Sequence, residues 1–365
     1  MLRKVLAGLA TAGLALALTA CGSDAVPADS VYANVGAKIG ISLPNETSDR
    51  WAGDGGAMAT QFKAMGYTVD VKYGADDAAK QVKQVQAMVD EDVDLLVITA
   101  IDGSSMTDVL AKAAAKNIKI IAYDRLLTKT PNIDYQATFD NTRVGVMQAN
   151  LIVDKLGLKS ADSGPFTIEL FAGHSGDANA KSFWNGSMSV LRKYIARGQL
   201  VVKSGQNRFA QTAIDLYSSD LAEARMKKIL RANYASEDLD AVLSPYDGMT
   251  IGIIKALKAD GYGTDAKPWP ITSGQDSELP SVKSIIDGEQ TATIFKDTRE
   301  LAKVAVQQGN ALLTGTDPIV NDTTTYDNGV KKVPTYLLYP VAVDKTNYKT
   351  LLVDSGYIKA ADLMS

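Results

Sequence analysis

From residue 38 onward, short apolar runs alternate with longer stretches whose apolar positions recur at helical spacing. The runs 38–43, 67–73, 94–99 and 119–123 read as strands. Between them, 80–91 reads as an amphipathic helix, with Val82, Val85, Met88 and Val89 on one side. A second series begins at 166–171 and continues through 200–203, 241–244 and 270–273, with later strands at 291–295 and 336–343. Strands alternating with helices predict an α/β protein whose parallel sheets are covered on both faces, a doubly wound architecture.

The two series can be laid on each other. In each, the third strand runs into Asp-Gly (Asp102-Gly103 and Asp247-Gly248) and the fourth ends in an aspartate (Asp124 and Asp276). Ligands of doubly wound sheets bind beyond the carboxyl ends of the strands, so these four aspartates are candidates to line a cleft between facing halves. Asp-Gly is also ordinary turn and N-cap chemistry, and for Asp102 both readings stand. The loops after each first strand match as well. Ser42 to Trp51 leads into a helix in one half, and Ala172 to Trp184, which includes Phe183, does so in the other. Polar side chains followed by an aromatic suit a sugar. Carboxylates and amides accept from hydroxyls, Arg and Lys donate to them, and a ring covers the C–H face. Trp51 could equally anchor its helix in the core. Lys181 reads as a solvated charge, and His174 as a loop residue without a chemical role.

Composition narrows the chemistry. The 365 residues hold one His and one Cys, which excludes a Cys/His zinc site, a disulfide framework and a Cys-His triad. A formal charge of −4 without a long basic run argues against nucleic-acid binding. No G-x-G-x-x-G follows a strand, and paired acids surrounded by Arg50, Arg125 and Lys296 would stay ionised acceptors rather than serve as a glycosidase pair. The expectation is a binding protein, not an enzyme. At the N terminus, Arg3 and Lys4 precede an Ala/Leu-rich core too short to need to span a membrane. It ends in Leu18-Thr19-Ala20-Cys21, which resembles the lipobox of bacterial lipoproteins, so Cys21 is the expected lipid acceptor. Residues 22–37 then form a flexible tether.

Several motifs together and in order carry a family resemblance over roughly residues 38–358. They are Ser48-Asp49-Arg50-Trp51, Ile121-Ala122-Tyr123-Asp124-Arg125, Ala137-Thr138-Phe139-Asp140-Asn141, Leu243-Ser244-Pro245-Tyr246-Asp247-Gly248, Ser273-Gly274-Gln275-Asp276 and Phe295-Lys296-Asp297-Thr298-Arg299-Glu300-Leu301. The chain resembles the type I periplasmic sugar-binding proteins of ABC importers, and within them the ChvE-type multiple-monosaccharide-binding and xylose-binding proteins. The resemblance implies sugar contacts at Arg50, Trp51, Asp124, Arg125, Asp177, Asn179, Tyr246, Asp247, Asp276 and Lys296, with Asp124 and Arg125 on the anomeric side of an aldose. Tyr246 stands where xylose binders often carry Asn, which leans toward the ChvE-like branch. His174 and Ala178 depart from the denser Asp/Asn run of relatives. There is no calcium loop of alternating Asp and Asn, so neither metal nor cofactor is implied.

The resemblance further implies two discontinuous lobes joined by a three-strand hinge, with residues 38–140 and 276–322 in the first and 141–275 and 323–358 in the second. The chain should cross near Asp140, near Gln275 and around 321–328. The implied function is a monomeric, lipid-anchored, extracytoplasmic component that hands an aldose to an ABC permease and its ATPase. The alternative is a sugar sensor that presents its ligand to a membrane histidine kinase.

Overall fold

The computed structural model describes residues 36–364, so the expected leader, Cys21 and most of the 22–37 tether lie outside the described residues. Strands β1 (Lys38–Leu43), β2 (Thr68–Tyr73), β3 (Leu95–Ile98), β4 (Lys119–Tyr123), β5 (Tyr135–Phe139) and β11 (Thr335–Leu338) form one sheet in the order β11-β5-β4-β3-β1-β2. Every pairing in it is parallel. Alternate side chains go to opposite faces, and both faces are covered. Ile39, Ile41, Leu95, Val97, Ile121 and Tyr123 enter a core shared with the helices Asp49–Ala64 and Thr298–Thr314. Leu96, Ile98, Ile120 and Ala122 enter another, shared with the helices Ala78–Asp90 and Thr107–Ala115. Burial on both sides explains why the central strands β3 and β4 read as nearly unbroken apolar runs, whereas the edge strand β2 stays partly exposed and carries Asp70 and Lys72.

A second sheet holds β6 (Phe166–Leu170), β7 (Leu200–Val201), β8 (Ala241–Leu243) and β9 (Ile271–Thr272), again parallel, in the order β7-β6-β8-β9. The helices Asn141–Lys155 and Ala178–Ala196 cover one face, and Ser219–Asn233 with Asp247–Ala259 the other. The first pair meets at glycine. A Cβ on Gly145 would lie 2.0 Å from the Phe183 carbonyl, and one on Gly186 2.1 Å from that of Thr142. This close approach places Asn179 and Phe183, at the start of the second helix, beside the first sheet.

The lobe boundaries differ from those expected. β10 (Ala292–Phe295) stays with the second half, where Asp276 N–H donates to the Ile294 carbonyl and Ile294 N–H to that of Gly274. The chain therefore crosses near Lys296 and not at Gln275. The 321–333 segment stays with the first half: Tyr326 and Val333 are buried in its core, and Tyr326 Oη donates to the Phe139 carbonyl at 2.9 Å. The predicted strand 336–343 is two strands in different sheets. β11 ends before Tyr339-Pro340, and β12 (Val341–Asp344) pairs antiparallel with β10. The last crossing is thus at this Tyr-Pro step, beside the first at Asp140, whose N–H donates to the Leu338 carbonyl. Strand runs are legible from local composition; which distant strand accepts their hydrogen bonds is not.

Candidate functional site

Asp124 and Asp276 occupy matching places past the ends of β4 and β9. Both have left-handed backbone, with φ of +59° and +92°. Asp is among the few residues that visit this region at modest cost, and such strain collects where function demands it. In each case the N–H is tied back into the sheet, Asp124 to the Ala137 carbonyl at 2.8 Å and Asp276 to that of Ile294 at 2.9 Å. The strand ends therefore project both carboxylates into one cavity.

Arg50, in the first turn of the helix Asp49–Ala64, lies between them. It pairs with Asp124 through Nη2 and with Asp276 through Nη1 at 3.4 Å, and stacks on Trp51 at 4.4 Å. Lys296, only 1% exposed, meets Asp276 at 3.1 Å between the rings of Phe139 and Phe183. From the second lobe, Asp177 caps the helix Ala178–Ala196 and lies 3.3 Å from Arg125 Nε. Asn179 Nδ2 donates to Asp124 Oδ1 at 2.7 Å. Tyr217 Oη donates to Asp177 at 2.8 Å, and Tyr246 Oη to Glu278 at 2.5 Å, with the two rings edge to face. Oppositely charged groups from both lobes thus interlock across the cavity.

This arrangement sets the charges. Burial alone would raise the Asp124 pKa, but Arg50, Lys296 and Arg125 bring it to about 2. Burial works against the Arg50 charge too, yet Asp124, Asp276 and Asp54 hold it protonated, well above the usual range. The Tyr217 and Tyr246 hydroxyls are pushed up by burial and by Asp177 and Glu278 respectively, so both remain donors.

Of the candidates named from sequence, Arg50, Trp51, Asp124, Arg125, Asp177, Asn179, Phe183, Tyr246, Asp276 and Lys296 line this one cavity, about 720 Å³ of space including its mouth. Two do not line it. Asp247 is buried behind the wall, where its carboxylate accepts from Glu278 N–H, Gln290 and Thr293, so it shapes the loop that carries Glu278. Asp102 caps its own turn through Ser104 and borders a separate groove, so the turn reading holds there. Asn45, Tyr217, Gln275 and Glu278 line the cavity without having been singled out, and so does His174, expected to be a loop residue without a chemical role, whose Nδ1 lies 2.8 Å from Asp215 at the rim. Asn45 lay within the polar loop already noted. Tyr217 carried no sequence signal: its ring reaches in over Gly173, where a Cβ would sit 2.2 Å from it. Among the described residues no cluster of His, Cys, Asp and Glu could hold a metal, and no helix is long and apolar enough to cross a membrane.

Residues 39–317 match the periplasmic binding protein domain. The multiple sugar-binding periplasmic receptor ChvE of Rhizobium radiobacter is 55% identical over 325 residues, 89% of this chain and 92% of that protein. The multiple sugar-binding periplasmic protein SbpA of Azospirillum brasilense is 52% identical over 323 residues, 88% of this chain and 90% of that protein. Among solved structures, an ABC transporter solute-binding protein from Clostridium phytofermentans with bound β-D-glucose superposes with a TM-score of 0.86 at 43% identity. The match covers 89% of this chain and 99% of that one.

Proposed function

This chain belongs to the periplasmic binding protein family, and from that premise we propose that it captures an aldose monosaccharide between its lobes and delivers it to an ABC permease. The observation that carries the reading is the interlocked set Asp124–Arg50–Asp276–Lys296, flanked by Trp51 and Tyr217. Each charged group there is oriented by another and offers donors or acceptors that a ring of hydroxyls can share. Trp51 and Tyr217 supply apolar faces for the sugar C–H surface. Arg125–Asp177 and Asn179–Asp124 join the lobes directly, so a ligand touching both lobes gains contacts in the closed form that the open form lacks. That differential affinity is what shifts the equilibrium toward the closed shape a permease would engage. As a member of a family whose relatives are described as sugar-binding, the protein acts as a binding component and leaves the sugar unchanged.

Support for the sugar class comes from the relatives, two of which are described as multiple sugar-binding. Cys21, in its lipobox-like setting, is proposed to anchor the protein outside the cytoplasmic membrane. Presentation of the bound sugar to a membrane kinase remains the second role we propose to test, by co-purification with the permease or with a sensor. The binding reading is tested by a thermal-shift screen of the lipid-free protein against aldopentoses and aldohexoses. A hundredfold excess over Kd should stabilise the fold by about 2.7 kcal/mol through mass action. The sugar recovered afterwards should be chemically intact. No shift with any aldose, or conversion of the sugar, would defeat the proposal.

A further inference from the structure

Beneath the cavity lies a carboxyl that sugar contact does not use. Asp54 follows Arg50 by one helical turn and is 1% exposed. Its Oδ2 and the Arg50 Nε face each other at 3.8 Å, too far for a hydrogen bond, and neither atom has a hydrogen-bond partner. The Tyr123 hydroxyl, buried beside them, interacts with the Asp54 carboxyl, as does that of Thr298. Arg50 meanwhile gives its two terminal nitrogens to Asp124 and Asp276. A donor and an acceptor of opposite character are thus held just out of reach, and a small swing of the guanidinium would join them at the expense of the cleft contacts.

We propose that Asp54 is a positioning residue for sugar binding: protonated, it leaves Arg50 turned to the cleft aspartates; ionised, it draws the guanidinium back and weakens the site. The proposal rests on the sugar-binding reading above. The groups facing Asp54 leave it as the one that changes charge near neutrality. Burial, only partly offset by Arg50 and by the Tyr123 and Thr298 hydroxyls, brings its carboxyl up to about 7. Tyr123 from the end of β4, Tyr73 from β2 and Tyr357 near the C terminus are all raised, chiefly by burial. Arg50 stays charged and Asp124, at about 2, stays ionised, with Asp276 beyond Arg50. Because the ionised form binds less well, affinity falls as pH rises through about 7, and sugar binding takes up a proton there.

The test is calorimetric titration of the parent, Asp54→Asn and His174→Gln with the best aldose from the screen, from pH 5.5 to 8.5. Parent affinity should fall about three- to tenfold, the size of a coupling of up to one pKa unit. The fall should persist in His174→Gln and vanish in Asp54→Asn. In parent protein, titration near pH 7 in two buffers of different ionisation heat should show net proton uptake. A flat parent profile, a fall that survives in Asp54→Asn, or proton release overturns the proposal. A sugar-free comparison separates this failure from failure of the sugar reading. The folded pKa of Asp54 exceeds the unfolded one, so the stabilisation its proton brings is complete below the unfolded value and lost as pH rises through about 7. Parent stability relative to Asp54→Asn should decline across that window, and parallel stability profiles count against Asp54 whether or not any aldose binds.

Discussion

Two aspartates in left-handed backbone bring the charges of this site together, and their removal is the direct measure of what they contribute. Asp124 accepts from Arg50 and Asn179 and Asp276 from Arg50 and Lys296, all inside a cavity closed by both lobes. Hydrogen bonds to charged groups contribute on the order of 1.5–3 kcal/mol, and truncation leaves buried cations without their partner. Asp124→Ala and Asp276→Ala should each weaken aldose binding about ten- to a hundredfold or more by calorimetry. Lys227→Ala, which removes a solvated helix charge paired with Glu223, should bind like the parent. If both Asp variants fold and bind unchanged, the site is elsewhere. These aspartates were legible because each ends a strand in a repeated pattern. Asp247, in the Asp-Gly pattern after the third strands, faces inward to Gln290 and Thr293, an orientation set by packing rather than by its place in the repeat.

At the scale of elements, the second lobe depends on how closely the helices Asn141–Lys155 and Ala178–Ala196 approach. Their contact positions the N-terminal turn from which Asp177, Asn179 and Phe183 reach the first lobe. Gly145→Ala would gain helix propensity but put a methyl 2.0 Å from a backbone carbonyl that cannot turn aside. Overpacking of this kind costs about 1–3 kcal/mol, so the variant should unfold at lower denaturant and bind sugar less tightly. Gly56→Ala, where a Cβ meets nothing within 4 Å, should be neutral or stabilise by up to about 1 kcal/mol. Equal stability for the two variants would show that the helix contact tolerates separation. The individual strands and the helix from Ala78 to Asp90 were readable from periodicity. The tight helix pair was not, since an isolated glycine in a helical stretch does not announce what approaches it.

For the whole molecule, three crossings join lobes whose facing surfaces carry complementary charge. The proposed anchor adds a constraint outside the described residues: Cys21→Ser should release the protein from the membrane fraction or block its processing. Unchanged membrane fractionation of that variant would remove the lipoprotein reading and leave the sugar site untouched.

Sequence alone determined the α/β class, the repeated halves and most of the charged residues of the cavity, because these follow from local apolar periodicity and from side chains at strand ends. Tertiary structure alone decided the lobe boundaries at Lys296 and at Tyr339-Pro340, since strand pairing is a matter of hydrogen bonds between segments far apart in the chain. It also decided that Tyr217 joins the site and Asp247 does not, and it placed Asp54 behind Arg50. Such outcomes depend on which groups are excluded from water together, a property of the packed interior that no single stretch of sequence holds.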